Sequence, residues 1–131
     1  MDTIIFPRSG NIPLEFTGEI IFAQSTNTGK KNCTRYHELQ LARTNVPEMW
    51  VASISFCGLG DGDYDYDWVK AGTAEEIAAW VSGFDPNCVL IGFPVGEKFA
   101  EKQRRLELDI ALRFREKASL LLAELEITEK I

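Results

Sequence analysis

The chain reads as an α+β protein: an antiparallel meander of four to five strands over about 3–70, a short capped helix at about 73–83 and a long C-terminal helix at about 96–127. Three observations predict this. Alternating apolar and polar runs follow one another through short turn-rich loops, as in a meander. A capping-box sequence, Thr73-Ala74-Glu75-Glu76, stands directly ahead of Ile77-Ala78-Ala79-Trp80-Val81. From Glu97 to Ile127 there is no proline and no glycine, and the strong helix formers Glu, Lys, Arg, Leu and Ala dominate. A length of 131 residues fits one domain with a core of its own.

Thr3–Phe6 is a short β-branched and aromatic run, closed by turn chemistry in Pro7-Arg8-Ser9-Gly10-Asn11-Ile12-Pro13. In the next run, to Gln24, Leu14, Phe16, Ile20 and Phe22 share one parity and Glu15, Thr17 and Glu19 the other, as in a half-buried strand. Gly18 interrupts the apolar face and marks a bulge or a close backbone approach. Ser25 to Thr34 is a polar hairpin loop; its Gly29-Lys30-Lys31 lacks the glycine spacing of a phosphate loop. Arg35–Arg43 is a strand with Leu39 and Leu41 on one face. Thr44-Asn45-Val46-Pro47-Glu48 turns the chain into Met49–Cys57, where Trp50, Ala52, Ile54 and Phe56 alternate with Val51, Ser53, Ser55 and Cys57. Three glycines then break the pattern before a further strand at Tyr64–Lys70.

Thr73 and Glu76 satisfy each other's orphaned backbone donors, and Gly83 supplies the stop. Asp85-Pro86-Asn87 turns the chain, and Cys88–Phe93 is a short apolar run, a buried strand or an extended tether. In the long helix Phe99, Leu106, Ile110, Phe114, Ala118, Leu121 and Leu125 recur at helical spacing along one face. Some 30 residues make a rod of roughly 45 Å, longer than a domain whose radius of gyration is about 14 Å. Leu108, Leu112, Leu120 and Leu122 add a second apolar face, more than a surface helix needs. The helix is therefore expected to overhang or to meet a second copy, a dimer, with Leu108, Leu112, Leu121, Leu122 and Leu125 as the interface.

A net charge of −6 argues against general affinity for nucleic acid or anionic membrane. No apolar run approaches the roughly 20 residues of a membrane span, and the N-terminus lacks a signal-peptide pattern. Three cysteines without CxxC spacing suit reduced thiols in a cytoplasm.

The chemistry-bearing candidates are few. His37 is the single histidine, so no site can use two imidazoles of one chain. It shares parity with Leu39 and Leu41, which points it to the core, while Arg35, His37 and Glu38 form the alternative ligand site. Asp61, Asp63, Asp65 and Asp67 alternate with Gly62, Tyr64, Tyr66 and Trp68, a spacing that suits a hard cation. The calcium-loop pattern nevertheless fails, because Tyr66 stands where its glycine belongs and Gly72 where its glutamate belongs. No metal and no cofactor is expected. The bland reading of this stretch is a solvated acidic edge. The functional reading makes Asp61, Asp63, Tyr64, Asp65, Tyr66, Asp67 and Trp68 an acidic, aromatic surface for a protein partner. Cys57 and Cys88 border strands in no cationic setting, and Ser53 and Ser55 sit in no nucleophile elbow.

The leading expectation is a non-enzymatic, acidic, cytoplasmic regulatory protein that self-associates through its long helix. Accessory or inhibitor proteins of microbial mobile elements often have this profile. The alternative is a nucleotide- or metal-binding domain of hydrolytic type, its site between sheet and helices.

Overall fold

The computed structural model describes residues 1–29, 35–58, 65–88 and 96–129, and the side chains of the long helix from 101 to 125. Five strands, β1 (Asp2–Phe6), β2 (Leu14–Ser25), β3 (Arg35–Thr44), β4 (Trp50–Gly58) and β5 (Tyr66–Gly72), precede α1 (Ala74–Gly83) and α2 (Gly96–Glu129). The strands pair antiparallel in chain order, so the sheet is a meander. The α+β class and its element order are those expected. The apolar run at Cys88–Phe93 falls outside the described residues beyond Cys88.

Alternation assigns the two faces of the sheet. On one face Leu39 and Leu41 of β3 sit beside Ile54 and Ala52 of β4, and Trp50 extends the patch. Ile77 and Val81 of α1 and Phe114, Ala118, Leu121 and Leu125 of α2 close over them. Each large apolar side chain fully buried there stabilises the fold by about 1.5–3 kcal/mol. The other face carries a smaller cluster of Phe6, Ala42 and Val51 with Ile4, Leu14, Phe16 and Val69 around it. The sheet curls around this second cluster into a half-barrel. The curl brings the turn after β1 to β5, where Ser9 N–H donates to the Asp67 carbonyl (2.9 Å) and Asp67 N–H to Ser9 Oγ (2.8 Å).

The unbroken alternation expected along β2 is corrected. The register shifts between Ile20, opposite Ala42, and Phe22, opposite Leu41. Ile21 is the extra residue of a bulge, and a bulge inverts parity for everything beyond it. Leu14 and Phe16 therefore serve the smaller cluster, whereas Ile21 and Phe22 pack under the helices. Of the two roles expected for Gly18, a bulge or a close backbone approach, it has the second: a Cβ there would lie 2.2 Å from the Arg43 carbonyl oxygen.

The capping box is formed. Glu76 N–H donates to Thr73 Oγ1 (3.3 Å), and Thr73 N–H donates to Glu76 Oε1 (3.2 Å). In α2 the fully buried stripe is Ile110, Phe114, Ala118, Leu121 and Leu125. At 34 residues the helix is about 51 Å long. Its earlier turns are less covered, with Glu101, Lys102, Arg104 and Arg105 all exposed.

Candidate functional site

The described part of the acidic, aromatic stretch, from Asp65 to Trp68, leads into β5, the last strand of the sheet. Asp61, Asp63 and Tyr64 lie outside the described residues. On β5 alternation sends Tyr66 and Trp68 to the helix side and Asp67 to the other. Tyr66, 38% exposed, stacks on Trp68 with ring centroids 5.8 Å apart and planes 17° apart. Trp68 sets its ring edgewise to Phe84 at 5.0 Å, and Phe84 meets Phe114 of α2 at 5.4 Å. An aromatic seam thus runs from an exposed tyrosine to the centre of the core. The carboxylates are partly engaged: Asp67 accepts from Ser55 Oγ (2.7 Å) and Asp65 from Gly58 N–H (3.2 Å), which ties the two sides of the β4–β5 hairpin. Asp67 therefore sits behind the strand that presents Tyr66 and Trp68, the separation that strand alternation implies for this stretch.

His37 and Glu38 project from opposite faces of β3 and do not converge, while Arg35 shares the parity of His37. His37 is fully buried, with Phe56, Phe114 and Phe84 at centroid distances of 5.3, 5.1 and 6.3 Å. Neither ring nitrogen has a hydrogen-bond partner among the described residues. Burial, and second the guanidinium of Arg113, pull its pKa down to about 4; the backbone of Pro86, near but outside bonding geometry, only partly opposes them. The ring is neutral at pH 7 and sealed from any substrate. Glu38 projects from the opposite face, where it accepts from the Cys57 thiol at 3.6 Å. Burial first, and the Glu38 charge second, push that thiol up to about 11, so it stays protonated and poorly nucleophilic.

The five leucines assigned to an oligomer interface divide. Leu121 and Leu125 are consumed by the intramolecular core, because they continue the Ile110–Phe114–Ala118 stripe, and Leu122 is half-buried beside them. Leu108 and Leu112 remain outside, 60% and 62% exposed.

Two arginines of α2 were missed as organising residues. Arg113, which also pairs with Asp109 (3.0 Å), donates to the Thr26 carbonyl (2.8 Å) and the Arg35 carbonyl (3.3 Å), pinning both sides of the β2–β3 hairpin. Arg115 donates to the carbonyls of Val81 (3.1 Å), Ser82 (3.2 Å) and Phe84 at the end of α1. It meets the last carbonyls of a helix that has no basic residue in its own last turn. Arg113 stands four residues after Asp109, a spacing visible in the sequence, whereas the carbonyls that the two arginines reach lie far away in the chain.

A cleft of about 820 Å³ opens between the β3–β4 turn and the start of α1, lined by residues including Arg43, Pro47, Met49, Trp50, Thr73 and Glu75. Arg43 lies over the Trp50 ring at 5.4 Å. Glu48 at the turn has φ of 62°, the left-handed region, between Pro47 and a Met49 N–H that donates back to Val46 (3.1 Å). The start of α1 is poorly suited to phosphate, since Glu75 and Glu76 occupy its first turn and the capping box takes up donors. Among the described residues no three His, Cys, Asp or Glu side chains form a metal-ligand group, and no helix is long and apolar enough to cross a membrane.

No protein-family profile, curated protein or solved structure matches the chain.

Proposed function

We propose that the chain is a small acidic interaction protein of the cytoplasm, regulatory in role, which self-associates through α2 and binds a protein partner along β5. The observation that carries the partner site is the Tyr66–Trp68 stack on the last strand of the sheet. Partly exposed aromatics anchored in a core suit an interface hot spot, because little side-chain entropy remains to be lost on binding. The strand also offers backbone. Ser9 occupies the outward N–H and C=O of Asp67, while Val69 and Ala71, of the same parity, meet no partner on that edge among the described residues. An extended segment of a partner can add there as a further strand. The sealed, neutral His37 favours binding over acid–base chemistry as the role of the helix–sheet interior.

The test is affinity capture from the native host with wild-type protein and with Tyr66→Ala, a change at a half-exposed ring. A partner held by the wild type and lost with Tyr66→Ala supports the reading. Equal capture by both sinks it. The small-ligand alternative rests on the Arg43–Trp50 cleft, and titration calorimetry with nucleotides would support it only through heat that Arg43→Ala abolishes.

A further inference from the structure

The outward side of α2 carries a row at four-residue spacing: Arg104, Leu108, Leu112, Glu116 and Leu120, all five exposed. At 3.6 residues per turn, Leu112 stands roughly 160° around the helix from the middle of the buried stripe. Single exposed leucines need no explanation, but a continuous row is the ridge by which helices most commonly pack on one another.

We propose that this row is the interface of a homodimer in which two α2 helices cross antiparallel, about a twofold axis between Leu108 and Leu112. The proposal rests on the reading of the chain as self-associating, and it names the surface and the orientation. A twofold interface must be self-complementary: residues exchanged by the axis have to suit each other. That axis exchanges Leu108 with Leu112 and Arg104 with Glu116, and leaves Leu120 beyond the exchanged four. Leucine then meets leucine, and each Arg104 guanidinium meets the partner's Glu116. A parallel pairing would set Arg104 against its own copy and Glu116 likewise, so charge decides the orientation. The flanking charges are already matched within one chain, Arg105 with Glu101 at 2.7 Å and Arg113 with Asp109 at 3.0 Å. Arg104 and Glu116, the two charged members of the row, have no ion pair or hydrogen bond to any described residue and are open to a second copy. Leu121 and Leu125, buried against the sheet, take no part.

The experiment is sedimentation velocity over a wide concentration range, with thermal unfolding of each variant as the folding control. Wild type is expected to rise from the mass of one chain toward two, and Leu112→Glu to stay at one. Arg104→Glu and Glu116→Arg each turn two attractive contacts into two repulsive ones and should weaken the dimer about tenfold. Mixed in equal amounts, these two single variants should regain wild-type affinity, because every swapped charge then faces its opposite. All altered side chains are exposed, so unfolding midpoints measured at concentrations where wild type is a single chain should match wild type; with three independent positions, one misfolded variant does not end the test. Wild type at one chain throughout removes self-association and this interface together. A dimer indifferent to Leu112→Glu and to both charge changes keeps self-association but overturns this surface. Weakened single variants that do not recover on mixing overturn the antiparallel orientation.

Discussion

Leu121 and Leu112 lie on one helix, identical in chemistry and opposite in circumstance. Leu121 sits in a close-packed interior against β3, β4 and α1; Leu112 faces away from the chain's own core, 62% exposed. Burial is set by position relative to the stripe that begins at Ile110, and hydrophobicity alone does not distinguish the two. The inward face holds the fold, while the outward row is available to something else. The largest effect should come from the inward face. Phe114→Ala empties a fully buried site beneath His37 and Phe84, and a cost of about 3–5 kcal/mol in chemical denaturation is expected.

The pH dependence sharpens the same side. Unfolded, His37 takes a proton near its ordinary pKa of 6.5; folded, it holds out to about 4. Stability is therefore whole above the first value, drops as pH falls between the two and levels off below the second, a loss of roughly 3 kcal/mol. Denaturation curves of wild type and His37→Phe across this window isolate the effect from the carboxylates, and the variant should lack this part of the slope. Arg115→Ala, which strips the α1 terminus of its cation, should cost about 1–2 kcal/mol and speed amide exchange near Gly83. At concentrations where wild type is a single chain, Leu112→Glu should change stability by less than about 0.5 kcal/mol, in contrast to any substitution of Leu121.

The parts of this architecture legible in the sequence are those decided locally. Thr73 and Glu76 announce α1 because a capping box closes within four residues, and the Ile110–Leu125 stripe announces α2 because helical spacing is a property of one segment. The β2 bulge was not legible, since period-2 reasoning assumes that no residue is extra and nothing in Ile20-Ile21-Phe22 says which one is. The Ser9–Asp67 closure and the Arg113 and Arg115 bonds join distant parts of the chain, and local periodicity carries no information about them. The same limit explains the mixed leucine set. Sequence spacing revealed two apolar faces on α2 but not which one the sheet takes, so Leu121 and Leu125 were grouped with Leu108 and Leu112. The partner stretch was legible as composition, and only the strand's alternation separates Tyr66 and Trp68 from Asp67.

The division of α2 into a folding face and an assembly face is tested most directly by the mass of the wild-type chain in solution as concentration rises. A reversible approach from one chain to two, absent in Leu112→Glu although the single chain is as stable as wild type at low concentration, is the predicted result. A mass of one chain at every concentration would contradict it.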